Sequence, residues 1–402
     1  MFLGVKMINQ PQDVSSWFEN TMHSAIEKRA SDVHLEPERD TLNVRFRIDG
    51  LLQQAEVLGN HLQDNIISMI KVMSNMNITE RRLPQDGHFE FNSMNKVYNI
   101  RVSILPSLYG ENIVLRILNR EDILIRLENL GLLPDQLELV NKLITSSSGM
   151  ILTTGPSGSG KTNLLYSIIH TLNKPDKNII TLEDPIEYQM TNIRQTQVNE
   201  SIGLSYVKAM RSVVRQDPDV VMLGEIRDVD TAQMAVLATL TGILIFTTFH
   251  TFDVPALITR FLEFGITNSI IAQTIKGVIS TRLVRKICDA CKEPYAVKEL
   301  DKLDTYTRNL IEHHTTPSNF QKGRGCDKCG NTGYLGRTGV FEVVYFDEEI
   351  KTCIIEYKLP SYIAELIRRK KGRAIRDAAM EKVFQGITTV EEVSRVLGTQ
   401  IG

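Results

Sequence analysis

The run Thr154-Gly-Pro-Ser-Gly-Ser-Gly-Lys-Thr162 constrains this chain more than any other stretch, because it sets Gly155, Gly160, Lys161 and Thr162 at the spacing of a phosphate-binding loop. Glycines let the backbone wrap tightly, so that several N–H groups point inward at phosphate oxygens. The lysine reaches the β/γ oxygens, and the Thr162 hydroxyl can ligate Mg²⁺. Pro156, Ser157, Gly158 and Ser159 complete the loop. The apolar run Met150–Thr153 reads as a strand entering it. Thr162–Ile169 has helical spacing on the way out, so phosphates would meet a helix N-terminus. A GxxxxGKT run between strand and helix is far more restrictive than a lone GxGxxG, and a Gly/Ser turn that binds nothing is the weaker reading. The expectation is a nucleoside triphosphate site.

At 402 residues the chain should hold two or three domains, and 42% hydrophobic with 23% charged residues describes an ordinary globular protein. A formal net charge of −2 removes the general argument for a nucleic-acid partner, although a local basic patch stays open. Met1–Lys6 is too short an apolar stretch for a signal peptide, and five cysteines do not make a disulfide scaffold, so a reducing cytoplasm is the expected home. Thr231–Phe249 carries no charge and has the length of a membrane span. Its Gln233, Gly242 and threonines point instead to a helix from Asp230 to about Leu240, a glycine turn and a buried strand Ile243–Phe249.

The expected organisation is α/β. Residues 1–118 form a small α+β domain with an amphipathic helix from Trp17 to about Lys28 and alternating strands at Asn43–Ile48 and Val97–Val102. Residues 119–135 read as a polar linker. Residues 136–287 form a RecA-like domain, in which strands Met150–Thr153, Asn178–Leu182, Val220–Leu223 and Ile243–Phe249 alternate with helical patterns. A long helix is expected to end near Ile287. Residues 288–338 are a cysteine-bearing subdomain, and 339–402 a helical C-terminal subdomain, in which Thr389 and Glu392 have capping-box spacing. The basic run Arg368–Arg373 reads as a solvated helix end, with contact to anionic lipid as the rival.

A phosphate loop needs carboxylates at the ends of neighbouring strands. Two sets fit: Glu183, Asp184 and Glu187 after Asn178–Leu182, and Glu225 after Val220–Leu223, where it can touch the Mg²⁺ shell or its water. His250, just past a buried strand, suits a phosphate-sensing role, against the alternative of a satisfied core histidine. The pairs Cys288/Cys291 and Cys326/Cys329 have the spacing of a tetrahedral Cys₄ zinc site. Two CxxC pairs without a thioredoxin-like pattern favour structural zinc over a redox pair. Cys353 reads as a small buried hydrophobe.

The order Gly155–Thr162, Thr181–Tyr188, Gly224–Asp228 and Thr247–Thr251 resembles the Walker A, Asp-box, Walker B and His-box series of the ATPases of type II secretion and type IV pilus systems. Upstream, Ala30–Pro37, Arg45–Gly50, Leu83–Gly87 and Arg101–Pro106 resemble the PAS-like domain of that family. The resemblance spans nearly the whole chain. It implies ATP as the nucleotide, a homohexamer, and a position at the cytoplasmic, inner face of the bacterial inner membrane. An inner-membrane platform protein and associated cytoplasmic subunits would be the partners, and membrane association would be peripheral, through those partners. It also implies that Arg101, from the first domain, approaches the γ-phosphate. In that family a tetracysteine subdomain marks assembly and secretion members, whereas retraction members generally lack it. Three positions depart from the pattern: Ile243 in place of a histidine, His88 in place of an arginine, and Asn112 in place of a lysine. Assembly and secretion members often carry a further N-terminal domain, and this chain begins almost directly with the PAS-like one, so it is either truncated or docks differently.

The sequence therefore reads as a Mg·ATP-driven motor for pilin or pseudopilin assembly. Glu187 and Glu225 are assigned to water activation and Mg²⁺ organisation, Glu183 and Asp184 to support, and Arg101 to charge stabilisation. The rivals are a nucleotide-dependent scaffold with little hydrolysis, and a RecA-like motor that translocates nucleic acid. The absence of basic-aromatic interleaving disfavours the second.

Overall fold

Strands in which buried and more open residues alternate, such as Thr41–Ile48 and Gln85–Ser93, build much of the first part of the chain. The computed structural model describes residues 7–8, 13–119, 125–251, 253–295, 305–313, 320–370 and 374–398, and divides into two units, Met1–Ile123 and Leu124–Gly402. The first unit runs β1 (Met7–Ile8), α1 (Val14–Glu27), β2 (Ala30–Pro37), β3 (Thr41–Ile48), β4 (Leu51–Gly59), α2 (Gln63–Met73), β5 (Gln85–Ser93), β6 (Lys96–Ser107) and β7 (Gly110–Asn119). Asp13 starts α1 by accepting the N–H groups of Ser15 and Ser16 at 3.2 and 3.1 Å, which satisfies donors that have no helical partner. The strands form one sheet in the order β1-β4-β3-β2-β7-β6-β5, antiparallel except for β1 beside β4. Trp17, Phe18 and Met22 of α1 and Ile66 and Ile70 of α2 bury one face of it against Val33, Val44, Phe46, Ile100 and Leu115. Lys71 and Glu111, both buried, pair at 2.7 Å beneath α2.

The second unit runs α3 (Pro134–Ile144), β8 (Gly149–Thr154), α4 (Lys161–Leu172), β9 (Ile179–Glu183), β10 (Arg194–Gln197), α5 (Tyr206–Val213), β11 (Val220–Glu225), α6 (Val229–Leu240), β12 (Leu244–Phe249), α7 (Val254–Glu263) and α8 (Asn268–Thr274). It continues through β13 (Ile275–Ile287), β14 (Lys292–Pro294), α9 (Thr305–His313), β15 (Gln321–Gly323), β16 (Tyr334–Tyr345), α10 (Glu348–Ile355), α11 (Pro360–Arg369), α12 (Ile375–Phe384) and α13 (Val390–Leu397). The main sheet has the order β10-β9-β11-β12-β8-β13-β16. All its pairs are parallel except β13 with β16. β8, β9 and β12 are buried along their whole length, as a parallel sheet covered on both faces requires.

The expected helix ending near Ile287 is instead β13, thirteen residues long and the bridge between the parallel sheet and its antiparallel edge. Apolar residues three and four apart, as at Ile275, Val278, Ile279, Leu283, Val284 and Ile287, fit a helix as well as a strand. The β-branched residues Ile275, Val278, Ile279, Thr281, Val284 and Ile287 decide for strand. The sheet thus extends past 287, and the expected boundary between 338 and 339 falls inside β16. On the other side, residues 120–124 of the expected linker lie outside the described residues, while Leu127, Leu130 and Leu133 are buried in the second unit. There Gln136 fastens α3 to β16, its amide donating to the Phe341 carbonyl at 2.7 Å.

Thr389 caps α13 by accepting the Glu392 N–H, the role its spacing predicts. Glu392 is fully buried and takes both Arg285 of β13, at 2.7 and 2.9 Å, and Arg395, at 2.6 and 2.7 Å. Removing one partner of such a buried pair costs about 3–5 kcal/mol, so this network locks the C-terminal helix to the sheet. Cys353 is buried in α10, as a small hydrophobe would be. Of the basic run, Arg369 pairs with Glu365 and Lys370 with Asp347 and Glu349, at 2.5 to 2.6 Å, and 371–373 lie outside the described residues. No helix among the described residues is long and apolar enough to cross a membrane, and Thr231–Phe249 is divided between α6 and β12.

Candidate nucleotide site and metal centre

Strand β8 delivers the chain into the Gly155–Gly160 loop, and α4 begins at Lys161. Gly155, Gly158 and Gly160 take positive φ of 145°, 73° and 92°, which L side chains resist. At Gly155 space forbids a side chain as well: a Cβ would lie 2.6 Å from both Ser159 Oγ and the Thr281 carbonyl oxygen. The Lys161 ammonium is buried within the loop and donates to the carbonyls of Gly155 at 2.7 Å and Pro156 at 2.9 Å. Burial lowers its pKa, Glu225 opposes that by attraction, and Arg282 adds to it by repulsion. Thr162 is exposed in the first turn of α4, and the buried Ser159 hydroxyl makes no hydrogen bond among the described residues. A cradle with inward glycines, a buried cation and an unpaired hydroxyl fits a polyphosphate.

The carboxylates gather at the carboxyl ends of β9 and β11. Glu225 closes β11 beside Thr248 of β12, after an irregularity at Gly224. That glycine is required by packing, because a Cβ there would stand 2.7 Å from the Tyr206 hydroxyl. One Glu225 oxygen pairs with Arg227 and the other lies 3.3 Å from His250 Nε2. Burial pushes the Tyr206 phenol up, and Glu225 and Asp184 push it further, so both carboxylates bear on this point. Glu183 is buried and saturated: it accepts from Tyr166, from Thr181 at 2.6 Å and from Gln195 at 3.1 Å. Asp184 is exposed and Glu187 half-buried in the loop that follows.

Strand β13 supplies the part of the site that the sequence reading missed. Ser280 bonds Thr154 at 2.9 Å and Thr281 donates to the Ser159 carbonyl at 3.1 Å. A Cβ on Gly155 would lie 3.1 Å from the Arg282 guanidinium, and one on Gly160 3.3 Å from Leu283. Arg282 is therefore a second cation at the loop, in no ion pair among the described residues. Burial lowers its pKa, and Glu342, across on β16, partly restores it. Burial pushes Glu342 up to about 7, helped by Asp253.

Arg101 belongs to the first unit, on β6. Register lines His88, Arg101, Arg116, Asp32 and Arg47 across β5, β6, β7, β2 and β3. Asp32 holds Arg116 at 2.9 Å and Arg47 at 3.7 Å. Arg101 and Arg116 stand directly opposite one another on β6 and β7. Of the departures, His88 stands opposite Arg101 and Asn112 opposite Leu105. Ile243 packs in the core just before β12, at the amino end of the strand, about 23 Å from His250 at roughly 3.3 Å per residue. Position 243 thus lies at the opposite end of β12 from the phosphate loop.

The four expected metal ligands converge. The Sγ atoms of Cys288, Cys291, Cys326 and Cys329 all lie within 4.8 Å of one another, with separations of 3.9, 3.9 and 3.7 Å for 288–326, 291–329 and 326–329. Tetrahedral zinc at about 2.3 Å from each sulfur requires S···S of about 3.8 Å. Burial pushes the Cys291 thiol up to about 12. At Cys329 burial acts the same way but is outweighed by the N–H groups of Cys326 and Gly333, which bring it to about 6.

Comparison with known proteins decides the family. The type II/IV secretion system protein family matches residues 9–395. The chain belongs to that family. It is 42% identical to type II secretion system protein E of Pseudomonas aeruginosa over 92% of its length and 73% of that protein's. It is 40% identical to the type IV pilus assembly ATPase PilB of Thermus thermophilus, spanning 93% of this chain but only 42% of that one. Among solved structures, the ATPase DotB of Legionella pneumophila superposes with a TM-score of 0.69 at 20% identity, covering 97% of this chain and 98% of its own. The pilus retraction motor PilT with bound ADP gives 0.61 at 23% identity, covering 94% and 96%. The fold is thus that of the secretion ATPases, and the chain is a P-loop ATPase of that family.

Proposed function

We propose that this secretion ATPase works as a homohexamer on the cytoplasmic face of the inner membrane. There it converts Mg·ATP hydrolysis into domain movement that drives pilin or pseudopilin assembly through an inner-membrane platform protein and associated cytoplasmic subunits. The observation that carries the reading is the convergence of Lys161, Glu225, Arg227 and His250 at one end of the sheet, in a chain whose relatives are named for secretion and pilus assembly.

In this reading Lys161 and the loop N–H groups hold the β/γ-phosphates, and Thr162 with Glu225 would hold Mg²⁺, which supplies charge neutralisation when bound. Glu187 and Glu225 orient and activate the attacking water, while His250, in contact with Glu225, senses the γ-phosphate. Asp184 supports them from the exposed loop, and Glu183 supports them by holding its neighbours. Arg101 supplies transition-state charge from the first unit. The test is phosphate release with and without DNA. Turnover that needs Mg²⁺ and is indifferent to DNA is expected. Turnover only with DNA would favour a nucleic-acid motor, and nucleotide binding without turnover a scaffold.

The cysteine cluster is assigned to structural zinc, since four thiolates leave no open coordination position for chemistry. Replacing Cys326 and Cys329 by Ser is expected to remove one zinc per chain, measured by metal analysis, and to lower thermal stability while Mg²⁺-dependent ATP binding survives. Protein purified without chelator that holds no zinc, or thiols that cycle between oxidised and reduced forms during turnover, would return the pairs to the redox reading.

A further inference from the structure

Tyr166 of α4 is fully buried, and its hydroxyl stands where the helix that begins at Lys161 meets the acidic loop after β9. The O–H donates to Glu183, and the same oxygen accepts the backbone N–H of Glu187 at 3.1 Å and of Tyr188 at 3.3 Å. The ring meets Tyr188 edge to face, with centroids 6.4 Å apart. Glu183 is fixed from its other side by Thr181 and Gln195. Gln195 in turn donates to the Tyr188 carbonyl at 2.8 Å and accepts the Met190 N–H at 2.6 Å. The loop bearing Asp184 and Glu187 is therefore held through its backbone by a buried network, and Tyr166 joins that network to the phosphate-binding helix. Burial and the Glu183 carboxylate both push the phenol pKa up, so the group stays a donor. Phenylalanine would fill nearly the same volume. What the hydroxyl adds is its polar contacts, and without it a buried carboxylate oxygen and two N–H groups lose a partner.

We infer that Tyr166 is a positioning residue, which ties the acidic loop to the phosphate-binding helix and so fixes Glu187 for hydrolysis. The inference rests on the assignment of Glu187 to water activation. A helix that shifts when its N-terminus takes up phosphate would carry the loop with it, coupling nucleotide state to the set of the carboxylate.

The test compares Tyr166→Phe, Glu187→Gln and wild-type protein in steady-state ATP hydrolysis. For Tyr166→Phe, kcat should fall by ~10-fold or more, within the ~10²-fold range that a misplacement of about 1 Å costs. KM for ATP should change by less than about 2-fold, because the phosphate contacts are untouched. Amide hydrogen exchange should quicken over 184–190 and stay unchanged over 155–162. Gln195→Ala cuts the same loop without touching α4 and should give the same split between kcat and KM, which keeps the test decisive if the Phe variant folds poorly. A kcat close to wild type in both variants, or a loss that merely follows the folded fraction, would overturn the inference while leaving an impaired Glu187→Gln in place. Full turnover by Glu187→Gln would instead overturn the assignment of Glu187 itself, and with it the purpose given to Tyr166.

Discussion

Glu225→Gln should bind ATP as the natural protein does and hydrolyse it ~10² times more slowly or worse, the range of lost acid–base assistance. The substitution preserves size and removes charge. Arg227 then loses its counter-ion and His250 its carboxylate neighbour, so two groups that the carboxylate now organises are released together. Binding should persist, because the cradle is built by the loop, by Lys161 and by β13, none of which depends on a negative charge at this position. Removing that charge also lessens repulsion toward the phosphates. Turnover retained in this variant would move the role to Glu187.

Lys161→Ala should abolish turnover and leave the fold intact. The ammonium sits at the mouth of α4 and, among the described residues, hydrogen-bonds only the Gly155 and Pro156 carbonyls of its own loop, so its loss removes no contact between elements. Its contribution is a cation aimed at the β/γ-phosphates, where transferring phosphoryl groups concentrate charge. Arg282 would not replace it, because it reaches the loop from β13 rather than from the helix N-terminus. Circular dichroism matching the natural protein, with no phosphate release, is the expected pair of results. Wild-type-like release would show that this loop is not the active site.

Motifs with fixed spacing were legible in the residues: the loop, the strand-end carboxylates and the cysteine pairs each carry their chemistry in local order. The strands β8, β9, β11 and β12 were legible too, since short apolar runs bounded by glycine and acidic residues have few other readings. β13 was not, because its apolar residues Ile275, Val278, Ile279, Leu283, Val284 and Ile287 recur three and four apart and fit a helix until its β-branched residues are weighed. Arg282 and the bracing role of Ser280 and Thr281 were hidden with it. Tyr166 lay beyond any local pattern. It looks like one more apolar residue of α4, and its partners Glu183, Glu187, Tyr188 and Gln195 come together only through the sheet.

The most direct test of the central claim, that Lys161 and Glu225 divide binding from hydrolysis at one site, is to measure ATP affinity and phosphate release together for the natural protein and the two variants. The account predicts binding and turnover for the first, binding without turnover for Glu225→Gln, and neither for Lys161→Ala. Phosphate release at the natural rate by either variant would contradict it.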